Sequence, residues 1–250
     1  MLGFNQGFIG YTPNSLIYFS GSDDESQYQS KLKSSSADWY YRNNPLTYSH
    51  NSLGHRSKDI NQLDLDNYIL CVGCSHTEGI GNYAHDTYPQ LTAELLNCDY
   101  YNLGLGGTGL DIMSHNLSTW LLKVKQPPKL IVWQWADLTR YLTVEEHSTS
   151  LVVTHGLWED DRKVTDFILA GDNNDFFISR IRILEEYLNT ISTIKNIPII
   201  QVSYQEKNAT NKVFYQSYDL ARDGCHYGVE SNKNLAMKIA DKYQYEFKNN

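Results

Sequence analysis

Residues 68–79 read Tyr-Ile-Leu-Cys-Val-Gly-Cys-Ser-His-Thr-Glu-Gly. The first five form a short apolar run that stops at a glycine, which is typical of a strand buried on both faces of a sheet. Ser75 follows in a glycine-flanked turn, where its hydroxyl can project from the edge of the sheet. Glycine and serine are also common in ordinary turns. The stretch therefore predicts a buried strand, and it leaves two interpretations of the serine open.

The chain beyond residue 67 alternates between short apolar runs and segments with helical periodicity. Strands are predicted at 68–72, 100–103, 130–135 and 199–202, and helices at 86–96, 110–125, 178–194 and 229–243. Such alternation is typical of right-handed βαβ units in an α/β fold, with a mostly parallel central sheet inside a three-layer αβα sandwich. Ligand sites in these folds lie beyond the carboxyl ends of the strands.

Residues 1–66 differ in composition from the rest. They are polar and rich in tyrosine, with many Ser, Asp and Gln residues between 20 and 36. We predict a loop-rich N-terminal extension with little regular structure, which packs on or caps a main domain of residues 67–250. The extension could equally form a lid or a surface for a protein partner.

Composition narrows the class of protein. A chain of 250 residues with 41% hydrophobic residues is long enough for one large domain with a substantial core. A formal net charge of −8 argues against a nucleic-acid partner. No apolar run approaches the roughly 18 residues of a membrane span. The first residues lack the basic and apolar regions of a secretory signal, so we expect a cytoplasmic protein or one released without a signal.

The cysteines do not form a metal-binding pattern. Cys71 and Cys74 are spaced as C-x-x-C, but no second pair of ligands completes a tetrahedral zinc site. Cys71 lies inside the apolar run and is expected to pack in a buried strand. No metal and no cofactor are expected.

A glycine-rich segment, Asn-Leu-Gly-Leu-Gly-Gly-Thr-Gly, follows the second predicted strand at 102–109. Such a segment can present backbone N–H groups to a developing oxyanion. Gly104, Gly106 and Gly109 also fit the dinucleotide pattern G-x-G-x-x-G, with Asp137 as a ribose-binding acid. That pattern normally follows the first strand of its unit. A nucleotide-binding α/β enzyme nevertheless stays open as an alternative.

Two further segments carry polar or aromatic groups at the predicted sheet edge. The third strand ends in Trp-Gln-Trp-Ala-Asp at 133–137, where the two tryptophans either wall a pocket or fill the core. Asp223 and His226 lie in one loop just before the last helix. An Asp three residues before a His can orient the imidazole, which then takes a proton from a serine.

Taken together in this order, the segments resemble the SGNH/GDSL hydrolase family over about residues 68–240, which implies a flavodoxin-like sheet. The resemblance places Ser75 at the nucleophile position, with Cys74 in place of the usual Asp. The last block supplies Asp223 and His226, so the implied catalytic triad is Ser75, His226 and Asp223. The second block places the oxyanion-hole glycine at Gly107, which implies a hole formed by the backbone N–H groups of Ser75 and Gly107.

The third block departs from the family pattern. Ala136 aligns where the family has an oxyanion-hole Asn, and an alanine side chain cannot donate a hydrogen bond. Loss of one such donor typically costs about 100- to 1,000-fold in turnover. Gln134 carries the same amide group and is a candidate replacement.

The resemblance implies a serine hydrolase that cleaves carboxylic esters through an acyl-enzyme, with a small-molecule or carbohydrate ester as substrate, for example an acetylated sugar. Candidate substrate-binding residues are those that flank the motifs: His76, Asn102, Trp133, Trp135 and Asp137. The missing Asn and the long N-terminal extension leave an alternative open, a non-catalytic structural or binding protein with the same fold, such as a virion or assembly component.

Overall fold

The computed structural model describes residues 2–145, 151–156, 162–173, 175–205 and 212–248. The strands are β1 Leu2–Asn5, β2 Phe8–Gly10, β3 Leu16–Ile17, β4 Tyr48–Ser49, β5 Tyr68–Val72, β6 Asp99–Asn102, β7 Leu130–Gln134, β8 Tyr141–Glu145, β9 Leu151–His155, β10 Ile199–Ser203 and β11 Val213–Phe214. The helices are α1 Glu25–Ser34, α2 Ser75–Glu78, α3 Tyr88–Leu95, α4 Leu110–Lys123, α5 Arg162–Asn173, α6 Phe176–Lys195 and α7 Val229–Tyr243.

A five-stranded sheet forms the centre of the fold. Its order in space is β11-β10-β7-β5-β6, and all neighbouring strands pair in parallel. Counted from β5 along the chain, this is the order 2-1-3-4-5 of flavodoxin-like sheets. The order reverses between β5 and β7, so the crevice at their carboxyl ends is the expected ligand site. The predicted α/β fold with a mostly parallel sheet is confirmed.

Helices cover both faces of this sheet. On one face α4 and α6 pack through Leu117, Trp120 and Leu188. On the other face α3 and α7 pack through Tyr88 and Ile239. Every residue of β5 and β7 is buried, because both strands lie in the interior of the sheet and are covered from both sides. The eight elements predicted from the sequence are present, with ends that differ by at most two residues.

Residues 2–66 contain more regular structure than the composition predicts. The hairpin β1–β2 joins β9 and β8 in an antiparallel sheet, and β3 pairs with β4. This region also contains the helix α1. No residue of α1 is buried, so it lacks the apolar stripe that marks a helix in a sequence. Instead, the Asp24 side chain caps it by accepting a hydrogen bond from the Gln27 N–H.

The N-terminal residues are fixed to the parallel-sheet unit by buried hydrogen bonds. The side-chain amide of Asn116 in α4 bonds both backbone groups of Ile9, each at 2.8 Å. The Arg56 guanidinium donates to the carbonyl oxygens of Gly79 and Asn82 at 2.8 and 2.9 Å. Residues before position 66 therefore brace the turn that follows Ser75.

Candidate active site

Ser75 lies at the carboxyl end of β5, as the first residue of the short helix α2. The turn before it is tightly packed. A Cβ at Gly73 would collide with the Thr77 side chain, and one at Gly104 would collide with the backbone of residues 77 and 78. Glycine at these two positions lets the loops after β5 and β6 approach each other closely. The Ser75 N–H donates no hydrogen bond to another described residue.

Residues 221–226, here called the acid–base loop, carry the Asp and the His of the last motif. The Asp223 Oδ1 atom accepts hydrogen bonds from the backbone N–H groups of Cys225 and His226, both at 3.0 Å. Its Oδ2 atom lies 2.5 Å from His226 Nδ1. The carboxyl group therefore fixes both the fold of the loop and the orientation of the imidazole.

The structure brings the three residues of the implied triad together. Ser75 Oγ lies 2.7 Å from His226 Nε2, although the two residues are 151 positions apart. Because a neutral imidazole has one N–H, a proton on Nδ1 that bonds Asp223 leaves Nε2 to accept the serine proton. Ser75 is 7% exposed, so the hydroxyl lies in a sheltered site.

Asp223 is ionised in this arrangement. Burial opposes its charged form, but the bonds from His226, Ser22 and the Cys225 N–H outweigh burial and lower the pKa of the carboxyl group. The carboxylate can therefore stabilise a positively charged imidazole when His226 takes up a proton.

The N-terminal residues reach this carboxylate, which the motifs did not predict. Ser22 Oγ donates to Asp223 Oδ2 at 2.7 Å. The neighbouring Asp23 forms a buried ion pair with Arg222, at 2.6 Å between Oδ2 and Nη2. No spacing rule connects positions 22 and 223. The segment around residue 22 contains many serines, and the sequence does not show which of them contacts Asp223.

Residues 104–109, here called the glycine loop, face the same edge of the sheet. Gly107 has a positive φ of 72°, a conformation that favours glycine. Its N–H donates no hydrogen bond within the described part of the chain. The preceding Gly106 N–H is bound, since it donates to Glu78 Oε2 at 2.5 Å and to the Tyr11 hydroxyl oxygen at 3.0 Å.

Glu78 is a second acidic residue that the motifs did not single out. It is fully buried, and its Oε2 atom also accepts the Tyr11 O–H at 2.9 Å. Its Oε1 atom has no hydrogen-bond partner among the described residues. Burial raises the pKa of Glu78 to about 7, against the smaller opposing effects of Arg56 and Tyr11.

The third motif supports the turn at Ser75. Gln134 is fully buried, and its Oε1 atom accepts from the Cys74 N–H at 3.3 Å and the Thr77 O–H at 3.1 Å. Its Nε2 atom donates to the Trp135 carbonyl oxygen. Ala136 packs in the core at 4% exposure and offers no donor.

Four of the candidate substrate residues are engaged within the protein. Asn102 is buried and donates to the Thr77 carbonyl oxygen at 2.8 Å, so it ties the glycine loop to α2. Trp133 and Trp135 belong to the core cluster, which favours the core-filling interpretation over a pocket wall. Asp137 caps its own turn through the N–H and O–H of Thr139. None of the four forms a hydrogen bond with Ser75 among the described residues.

His76 is the candidate that lies against the triad. Its ring centroid is 4.9 Å from that of His226, 4.8 Å from Tyr227 and 5.2 Å from Tyr204. Burial and the neighbouring His226 lower the pKa of His76 to about 3, so its ring is neutral at neutral pH. The rings of His76, Tyr204, Tyr227 and His226 together form an aromatic wall, and the proposed base is part of it.

The glycine loop is poorly suited to a dinucleotide phosphate. The Gly104 N–H donates to Asn102 Oδ1 at 2.8 Å, and the Gly106 N–H is bound by Glu78. Phosphate binding at this loop would need such N–H groups to be free. It would also place a negatively charged phosphate next to the Glu78 carboxyl group. The structure therefore argues against the dinucleotide interpretation of Gly104, Gly106 and Gly109.

The described ranges contain no group of three or more His, Cys, Asp or Glu side chains that could hold a metal ion. No helix in these ranges is long and apolar enough to cross a bilayer.

No protein-family model matches the chain, and no curated protein sequence matches it. Solved structures do resemble it. A carbohydrate esterase family 2 enzyme from Corynascus thermopiles (Myceliophthora fergusii) shares 13% identity at a TM-score of 0.42, covering 72% of this chain and 66% of that one. A member of the lipolytic protein G-D-S-L family from Veillonella parvula shares 16% identity at a TM-score of 0.37, covering 72% and 98%.

A carbohydrate acetylesterase family member from Sinorhizobium meliloti shares 14% identity at a TM-score of 0.40, covering 72% of this chain and 98% of that one. The chain thus spans about two thirds of the first of these three proteins and nearly all of the other two. The likeness is one of fold, and no residue role or activity in this chain follows from it.

Proposed function

We propose that the protein is a serine hydrolase that cleaves carboxylic esters through an acyl-enzyme formed on Ser75. One observation carries the proposal: Ser75 Oγ is 2.7 Å from His226 Nε2, and His226 Nδ1 is 2.5 Å from a buried Asp223 carboxylate. Three groups that serve as nucleophile, base and orienting acid thus stand in the required order of contact.

In the acylation step, His226 Nε2 removes the Ser75 proton while Oγ attacks the ester carbonyl carbon. The negative charge that develops on the carbonyl oxygen is stabilised by backbone N–H groups of Ser75 and Gly107. Both N–H groups lack a hydrogen-bond partner within the described residues. The ester C–O bond then breaks, and His226 returns its proton to the leaving alcohol.

In the deacylation step, His226 removes a proton from water, which attacks the acyl carbonyl carbon. Collapse of this second tetrahedral intermediate releases the carboxylic acid and restores the Ser75 hydroxyl. Asp223 keeps the imidazole in the same orientation throughout, because both of its oxygens are held by donors from the acid–base loop.

For the substrate, we propose a short acyl group, such as acetyl, on a carbohydrate. The aromatic wall of His76, Tyr204, Tyr227 and His226 supports this assignment, since amphipathic rings offer an apolar face together with polar edges. The wall lies on the His226 side, where the leaving alcohol must receive its proton.

A fluorophosphonate probe tests the nucleophile. We expect covalent labelling of the wild-type protein, no labelling of Ser75→Ala, and undiminished labelling of Ser34→Ala, which removes an exposed serine hydroxyl of α1. Hydrolysis of 4-nitrophenyl acetate should follow the same pattern. Equal labelling of the wild-type protein and Ser75→Ala would rule out Ser75 as the nucleophile.

The buried Ala136 supports a second candidate, a non-catalytic structural or binding protein that retains the fold and the three residues. In that case neither the probe nor any acyl ester would react at Ser75. Substitution of His226 by alanine would then leave the function of the protein unchanged. Labelling of Ser75 therefore separates the two candidates directly.

A further inference from the structure

A residue from the N-terminal region completes the hydrogen-bond shell of Asp223. Ser22 Oγ donates to Asp223 Oδ2 at 2.7 Å and lies 3.3 Å from His226 Nδ1. The same Oδ2 atom receives the imidazole N–H. Ser22 therefore shares the one carboxylate oxygen that contacts the base.

Ser22 lies at the tip of a tight turn. The backbone groups of Ser20 and Asp23 exchange two hydrogen bonds, at 3.0 and 3.1 Å, which leaves Gly21 and Ser22 as the two central residues. Gly21 has a positive φ of 61°, as such two-residue turns require. The Ser22 hydroxyl is not used within this turn and points to the triad instead.

Strong contacts anchor the turn to the acid–base loop. The Asp23 carboxylate binds the Arg222 guanidinium through three contacts of 2.6 to 3.2 Å, and both side chains are at most 3% exposed. Tyr48 donates to Asp23 Oδ2 at 2.5 Å. Lys31 donates to the Arg222 carbonyl oxygen at 2.7 Å. The turn and the residue next to Asp223 are therefore held as one rigid unit.

We propose that Ser22 is a positioning residue, which acts as a fourth member of the triad and holds Asp223 in the orientation that receives the His226 N–H. The inference rests on the proposed function of Ser75 and His226. A hydroxyl donor on Oδ2 favours the ionised carboxylate, because a hydrogen bond to the charged form stabilises that form. The imidazolium that forms during catalysis consequently faces a fixed negative charge.

The test compares Ser22→Ala with Ser22→Thr, and uses Ser34→Ala as the control. Loss of a hydrogen bond to a charged group predicts a fall in kcat for Ser22→Ala of about 10- to 100-fold. KM should stay within about twofold, since Ser22 contacts the acid and not the substrate. Ser22→Thr keeps a hydroxyl and should recover most of the activity, and Ser34→Ala should equal the wild-type protein.

A double-mutant cycle with Asp223→Asn separates positioning from a general structural role. If Ser22 acts through the Asp223 carboxylate, Ser22→Ala should lower the residual activity of Asp223→Asn by less than about twofold. The same loss in both backgrounds would overturn the proposal, as would an unchanged kcat in Ser22→Ala alone. Fluorophosphonate labelling is measured on the same samples. If the wild-type protein is not labelled, the proposed function fails and this inference fails with it.

Discussion

The acid–base loop and the glycine loop are both braced by N-terminal residues, but the braces differ in charge. At the acid–base loop, the carboxylates of Asp23 and Asp223 each accept several hydrogen bonds, and Arg222 neutralises the charge of Asp23. At the glycine loop, Glu78 has two donors on one oxygen and none on the other among the described residues. Two loops at the carboxyl end of the same sheet are therefore held by carboxyl groups in opposite electrostatic situations.

The difference follows from what accompanies each buried carboxyl group. Burial alone raises a carboxyl pKa, and donors or cations lower it. For Asp223 the donors prevail, whereas for Glu78 burial prevails and raises the pKa to about 7. The Asp223 carboxyl group should thus stay ionised near neutrality, while Glu78, which accepts from the glycine loop, should change its protonation there.

The largest effect is expected when the acid–base loop loses its ion pair. Asp23→Ala leaves the Arg222 guanidinium buried without its partner, which typically costs about 3–5 kcal/mol in the free energy of unfolding. Urea denaturation measures this loss. As a control, Glu230→Ala removes an exposed ion pair with Lys233 and should cost at most about 1 kcal/mol. Similar losses in the two variants would contradict a specific role for the buried pair.

The next largest effect concerns pH and the glycine loop. Because the pKa of Glu78 is about 7 in the folded protein and 4.5 is its ordinary value, the folded state favours the protonated acid. Its contribution to stability is fully present below pH 4.5 and is lost as the pH rises through 7. The difference amounts to about 3 kcal/mol.

Glu78→Gln should remove this dependence. Urea denaturation between pH 4.5 and 8 should show a flatter stability profile for Glu78→Gln than for the wild-type protein. Glu94→Gln, at an exposed position of α3, should keep the wild-type profile. Parallel profiles for the wild-type protein and Glu78→Gln would show that Glu78 is ionised throughout this range.

The smallest effect is expected when the glycine loop loses the uncharged hydroxyl group of Tyr11. Tyr11→Phe removes the hydroxyl that donates to Glu78 and accepts from the Gly106 N–H, at a cost of about 1 kcal/mol. Thermal denaturation should show a lower Tm, while Tyr245→Phe, at an exposed tyrosine, should not change it. A loss as large as that of Asp23→Ala would remove the contrast between the two loops.

Strands β5, β7 and β10 of the central sheet could be predicted because they are short apolar runs with a glycine or a proline near one end. The two-residue strand β11 was not predicted. The strands at 68–72 and 199–202 and the helix at 229–243 follow from local sequence alone. Helix α1 could not be predicted in this way, because no face of it is buried. The helical periodicity of residues 178–194 predicts α6 but does not mark which apolar residues are buried, since Ile178 and Ile194 are 50% and 73% exposed.

The candidate site was predictable where each motif lies at the end of a strand or just before the last helix. Parallel strands bring such positions to one edge, which is why Ser75 and His226 could be paired from the sequence. Ser22 and Tyr11 could not be found, because their contacts cross most of the chain and leave no local pattern. The domain boundary at residue 66 stays a prediction, and the contacts of Ser22 and Arg56 run across it.

The contact between Ser22 and Asp223 joins residues that are 201 positions apart. Protein chains are synthesised from the N-terminus at about 5–20 residues per second, so the turn at residues 20–23 emerges well before its partner loop. The acid–base loop can meet that turn only once residue 226 has left the ribosome. The complete site can therefore assemble only after all five strands of the parallel sheet have been synthesised.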